Sequence, residues 1–177
     1  MSEKLLQQIF KKLYGKPSWN VHGGWGSFIT FDFGNPKLEV LKKVFKPSKR
    51  RKYPQRYAHV HGEWNLWILC CDWVIQQDGR KVGNSTSKEK IDRGCLVLGG
   101  QYLTGISVNP RNGQTDFYFD LGGHLQTKSY KSGDESLEMW NLRCPDGRWL
   151  ALRDDGKFSH QSGNTPPDKT IWQPFIV

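Results

Sequence analysis

No apolar run in the 177 residues approaches the ~18–20 that a membrane-spanning helix needs. Met1–Gly15 has scattered lysines but no compact apolar stretch and no small-residue cleavage site, so it does not read as a signal peptide. The expectation is a cytoplasmic protein with no membrane partner. Cysteine is sparse, with four residues and no CxxC spacing that would suggest a structural zinc site. Cys70 and Cys71 are adjacent and on a strand would point to opposite faces, which places them poorly for pairing. Both lie in an apolar segment, where a thiol's pKa rises and its nucleophilicity is lost. There is no Gly-rich phosphate loop, GxSxG elbow, dinucleotide fingerprint or HExxH pair. These absences leave no cofactor implied and no residue with an assigned catalytic role.

What is present is aromatic and basic. Eight Trp, six Tyr and nine Phe supply much of the area available for burial, so the core should be thin and built on large rings. A chain of this length fits one domain, 1–177, that folds without disulfides or metal. Residues 2–14 read as a helix. Ser2 can cap it, Leu5, Ile9 and Leu13 with Leu6 and Phe10 form an i, i+4 stripe, and Gly15 and Pro17 end it. Beyond it the pattern is alternating. Ser27–Phe33 reads as a strand, Gly34-Asn35-Pro36 as a turn, and Lys37–Val44 as a second strand. Trp64–Ile75 reads as one strand, or two, buried on both faces, and Asp78-Gly79 as a hairpin turn. A short helix fits Ser85–Arg93, starting at Ser85 or Ser87 and ending at Gly94. Further strands fall at Tyr102–Val108, Thr115–Leu121, His124–Tyr130, Leu137–Cys144 and Arg148–Asp154.

Two motifs recur in the same order. Thr30-Phe31-Asp32-Phe33-Gly34 matches Tyr118-Phe119-Asp120-Leu121-Gly122, and Trp64-Asn65-Leu66 matches Trp140-Asn141-Leu142. The expected fold is therefore mainly β (α+β), a duplicated strand-hairpin sandwich or open barrel with an N-terminal helix. The first β copy covers about 16–83 and the second about 95–160. Asp32 and Asp120 occupy equivalent places and should lie on the outer face of their strands, bonding turn amides. The run from Gly26 to Gly156 resembles small single-domain bacterial proteins whose strand plan is shared with families found beside toxin genes and read as immunity proteins. That resemblance implies a protein partner and no catalytic residues.

The charge is local. Net charge is +9, and Lys42–Arg56 holds eight basic residues and no acidic one. Lys42, Lys43, Lys46, Lys49, Arg50, Arg51, Lys52 and Arg56 alternate with Tyr53 and Tyr57 there, a composition that can neutralise phosphates and stack on unpaired bases. An immunity protein covering a basic nuclease would instead be acidic. Separately, His59-Val60-His61-Gly62-Glu63 on a strand puts His59, His61 and Glu63 on one side, a candidate metal trio with open positions. The resulting expectation is a non-enzymatic binding protein with a protein partner. Nucleic acid held by the basic segment is the alternative, and a metal-dependent enzyme using His59, His61 and Glu63 is the alternative from a different class.

Overall fold

Alternating apolar and polar residues dominate the chain, and the computed structural model is accordingly rich in strands; it describes residues 3–42, 44–49, 52–130 and 135–175. Helix α1 (Glu3–Phe10) buries Leu6, Ile9 and Phe10, and hydrogen-bonded turns extend it to Gly15, burying Leu13. Its expected cap, Ser2, lies outside the described residues. Strands β1 (Ser18–Gly23), β2 (Ile29–Val40) and β3 (Ala58–Ile68) form an antiparallel meander. At Leu69–Cys71 the chain crosses to a second sheet and forms β4 (Asp72–Gln77) and β5 (Arg80–Asn84). Asp78 and Gly79 between them both have positive φ, as a tight hairpin turn requires. Then come α2 (Lys88–Leu98), β6 (Leu103–Val108), β7 (Thr115–Phe119) and β8 (Gly123–Lys128). The chain returns to the first sheet with β9 (Glu138–Arg143), β10 (Arg148–Arg153), β11 (Lys157–Ser162) and the short β12 (Gln173–Pro174).

The result is mainly β, with two antiparallel sheets and no closed barrel. The larger sheet has the order β1-β2-β3-β9-β10-β11-β12, and the smaller β5-β4-β8-β7-β6. Aromatic rings join them. Phe31 of β2 stacks on Phe119 of β7 at 6.3 Å between centroids. Trp140 of β9 meets Phe117 of β7 and Phe10 of α1 edge-on, each at 5.9 Å, and its indole N–H donates to Thr115 Oγ1 at 2.8 Å. That donor would otherwise be stranded in a fully buried ring, so Thr115 is a polar residue the core requires. The two Phe-Asp motifs fall in different sheets, on β2 and at the end of β7. The two Trp-Asn-Leu motifs become neighbours, since β3 pairs with β9 and Leu66 stands opposite Leu142.

One alternative is decided and two expectations change. Trp64–Ile75 belongs to two strands rather than one, with Cys70 and Cys71 at the crossover between β3 and β4, because Trp64, Leu66 and Ile68 face the core from one sheet and Trp73 and Ile75 from the other. The second helix starts where Ser87 caps it but runs past Gly94 to Gly99. Gly94 does not end it because it is a packing glycine: a Cβ on Gly83 of β5 would lie 2.6 Å from Gly94 Cα, so the helix rests directly on the strand backbone. Finally, Gly34-Asn35-Pro36 does not turn the chain. It is a bulge inside a continuous β2, across which pairing with β3 slips by one residue, from Phe33 opposite Trp64 to Pro36 opposite Gly62.

The bulge explains Asp32, which does lie opposite in parity to Phe31 and Phe33 but is 2% exposed rather than facing water. Oδ1 accepts from the Gly62 amide at 2.9 Å and from Asn65 Nδ2 at 2.8 Å; Oδ2 accepts from Asn20 Nδ2 at 2.8 Å. The carboxyl group thus takes up the amide that the slipped ladder leaves unpaired and ties β1, β2 and β3 together. Asp120 is exposed and accepts one bond, from the Tyr102 amide at 2.8 Å. Losing Asp32 strands the buried Gly62 amide and takes a charged acceptor from Asn20 and Asn65, so Asp32→Ala should lower stability by about 2–3 kcal/mol and Asp120→Ala by about 1 kcal/mol or less. Urea unfolding of the two variants checks this; equal losses would show that the bulge does not depend on the carboxyl.

Candidate functional site

Past the bulge, β2 and β3 continue together as an arm. Lys37 pairs with His61, Leu38 with Val60, Glu39 with His59 and Val40 with Ala58. The ladder persists through Leu41 N–H to Tyr57 C=O at 2.9 Å and a reciprocal Phe45–Gln55 pair at 2.8 and 3.1 Å. Phe45 and Tyr57 meet edge-on, with centroids 5.0 Å apart. The face of the arm that continues the core face is uncovered among the described residues: Leu38, Val40 and Val60 are 69%, 52% and 50% exposed.

The basic segment sits at the tip of this arm. Lys42, Lys46, Lys49, Lys52, Tyr53, Arg56 and Tyr57 are all exposed. Lys43, Arg50 and Arg51 lie outside the described residues. Among the described residues no acidic group pairs with these cations, and the segment itself supplies none.

The opposite face of the arm holds the histidines. His59 and His61 are side by side, with ring centroids 5.5 Å apart. The carboxylate that joins them is Glu39 from β2, with Oε2 3.7 Å from His59 Nε2 and 3.4 Å from His61 Nε2. Arg143 of β9 approaches the same oxygen at 3.7 Å. Glu63, the third member expected from β3, is engaged elsewhere: its carboxylate accepts the Asn35 amide in the bulge at 3.3 Å. Nothing in the local spacing of the sequence pointed to Glu39, since it lies twenty residues before His59 and its facing is set by the bulge.

A second concavity lies farther along the outer face of the larger sheet. It encloses ≈ 260 Å³ between Glu138, Asn141, Trp149, Gln161, Thr170 and Trp172. Trp149 meets Trp67 edge-on at 5.5 Å, and the Arg153 guanidinium lies 5.0 Å from the Trp172 ring centre. These rings are among the surface tryptophans that a thin core could not absorb. Asn141 Nδ2 donates to Glu138 Oε1 at 2.5 Å. Burial raises the Glu138 pKa above the usual carboxylate range, and the Asn141 bond opposes that shift.

Burial raises the pKa of all four thiols. Burial pushes Cys95 and Cys144 up to about 12 and raises Cys71 further. Burial also raises Cys70, with Glu138 adding to the effect. Cys144 shares a cleft of ≈ 600 Å³ with His160, Lys12 and Arg148 beside α1, but the thiol is protonated at neutral pH and bonds only weakly, to Leu142 C=O at 3.8 Å. No helix among the described residues is long and apolar enough to cross a membrane. Comparison with protein families, curated proteins and solved structures finds no match.

Glu138 gives a pH signature. Its folded pKa lies above its unfolded one, so the folded state holds the proton more tightly. The stability this contributes is complete below the unfolded pKa and is lost as pH rises through the folded pKa. Glu138→Gln should therefore raise Tm at neutral pH and flatten the decline in Tm that sets in as pH rises above the ordinary carboxylate range. Calorimetric scans from that range to neutral pH check it; parallel profiles for the two proteins would remove burial of this carboxyl as the cause.

Proposed function

We propose that the chain is a non-enzymatic binding protein whose recognition element is the β2–β3 arm, and that its partner is single-stranded nucleic acid. The observation that supports this is the arm tip. A protruding ladder carries exposed Lys42, Lys46, Lys49, Lys52 and Arg56 with exposed Tyr53, and no acidic residue occurs from Lys42 to Arg56. Cations spaced along an extended hairpin neutralise phosphates, and a ring 74% exposed is placed to stack on a base. Edge strands with lysine also resist adding a further strand, which favours an anionic partner over β-augmentation.

A protein partner, as the immunity-protein resemblance implies, is the second reading. One observation favours it: the uncovered strip of Leu38, Val40 and Val60 on the other side of the same arm.

Fluorescence anisotropy with a short single-stranded oligonucleotide separates the two. If five cations each neutralise a phosphate, log K should fall with log salt at a slope of about −3.5. Reversing Lys46, Lys49 and Lys52 to Glu should lower affinity at least about tenfold and reduce the slope by about 2. Absence of binding at low salt, or binding indifferent to salt, would overturn the nucleic-acid reading. The protein-partner reading requires that Leu38→Asp, rather than the lysine reversals, abolish capture.

A further inference from the structure

We propose that Glu39, His59 and His61 form a binding site for a divalent transition metal of the zinc type, clamping β2 to β3 at the base of the arm. The proposal does not depend on what the arm tip binds. One donor atom from each of the three residues lies within 4.8 Å of the other two. The donors come from two strands held by a continuous ladder, with Glu39 directly opposite His59. At zinc–ligand distances of about 2.0–2.1 Å, the donors around a tetrahedral ion stand about 3.3 Å apart. The observed 3.4 and 3.7 Å from Glu39 Oε2 to the two imidazole nitrogens therefore need only rotamer-scale adjustment.

The hydrogen bonding of His61 carries the inference further. Its Nδ1 lies 2.7 Å from the Gly62 carbonyl oxygen, which can only accept, so Nδ1 carries the proton. In the neutral ring, Nε2 then presents its lone pair toward the Glu39 carboxylate. A positive species between them, a proton or a metal ion, satisfies both, and the 3.4 Å separation suits either. A ligating imidazole that donates its other N–H to a carbonyl is the arrangement that fixes ring orientation in metal sites. His61 is held this way and its side chain is 13% exposed, whereas His59 and Glu39 are 50% and 42% exposed. The site is thus anchored on one side and open on the other, leaving a coordination position for water or an anionic oxygen. Two imidazoles and one carboxylate favour zinc and its neighbours over magnesium or calcium, which prefer oxygen-only sets. Arg143, 3.7 Å from the same Glu39 oxygen, stands where it holds the carboxylate from outside.

The test uses metal-stripped full-length protein without nucleic acid, so its failure is separable from failure of the arm-tip reading. Zinc chloride titrated calorimetrically should bind at one equivalent. Cobalt(II) in its place should show ligand-field bands with no thiolate charge-transfer band. His61→Ala and Glu39→Gln should each weaken zinc at least about tenfold, and Cys70→Ser should leave it unchanged. On the wild-type protein, zinc should shift the ring resonances of His59 and His61 but not those of His124 and His160, a readout that needs no variant to fold. No stoichiometric binding, a thiolate band, or ring shifts confined to other histidines would each overturn the site.

Discussion

The one-residue slip between β2 and β3 is the constraint on which the distinctive half of this molecule depends. Up to Phe33, odd-numbered residues of β2 face the core: Ile29, Phe31 and Phe33 are fully buried. Had the ladder run on unbroken, Glu39 would continue that parity and stand opposite Ala58. The extra residue at Gly34–Pro36 reverses the parity, so Leu38 and Val40 take the core side and Glu39 turns to the face that holds His59 and His61. The bulge leaves unpaired amides, and two carboxyl groups take them, Asp32 from β2 and Glu63 from β3. Gly62 completes the arrangement. A Cβ there would stand 2.6 Å from the Phe33 carbonyl oxygen, so the strands could not close on any larger residue.

This is also why the architecture was readable in the sequence and the candidate site only partly so. The α1 stripe, a serine start to α2 at Ser85 or Ser87, the Asp78-Gly79 hairpin and the alternation of Phe117 and Phe119 are local patterns legible from spacing and turn chemistry. His59 and His61 belong to one strand, so their shared face followed from parity alone. Their carboxylate partner did not. Glu63 was the parity match on the same strand, while Glu39 depends on a register shift that Gly34-Asn35-Pro36 presents in the guise of a turn. Gly94 misled in the same way: Gly in a helical pattern signals a C-cap unless a neighbouring backbone, here Gly83, needs the space.

The two sheets divide the labour. The smaller sheet and the two helices close the core, with Trp73 buried and its N–H donating to Ser27 C=O at 2.7 Å, and Gln101 bonding Gln77, Val97 and Gly123 from a buried position. The larger sheet faces that core with one side only. Its other side carries the Glu39–His cluster, Trp67 against Trp149, and the Glu138 concavity, in that order from the arm toward β12. Trp67, Trp149 and Asn141 are thus displayed on strands laddered on both sides, whereas Glu39, His59 and His61 lie on the arm, where β2 and β3 pair with each other alone among the described residues. A site built on such strands holds its side chains more closely than one built on loops.

The arm tip combines such a ladder with charge of one sign. Two unit charges 5–10 Å apart in water repel by roughly 0.4–0.8 kcal/mol, and salt reduces this further beyond about 8 Å. Each pair among the exposed cations is therefore weak enough for the Leu41–Tyr57 and Phe45–Gln55 bonds and the Phe45–Tyr57 ring contact to hold the strands together. Yet the repulsions share one sign, and no acidic side chain from Lys42 to Arg56 offsets them. Among the described residues no ion pair removes this term. A hairpin braced by apolar and aromatic pairs but carrying charge of one sign is what the proposed polyanion binding would draw on.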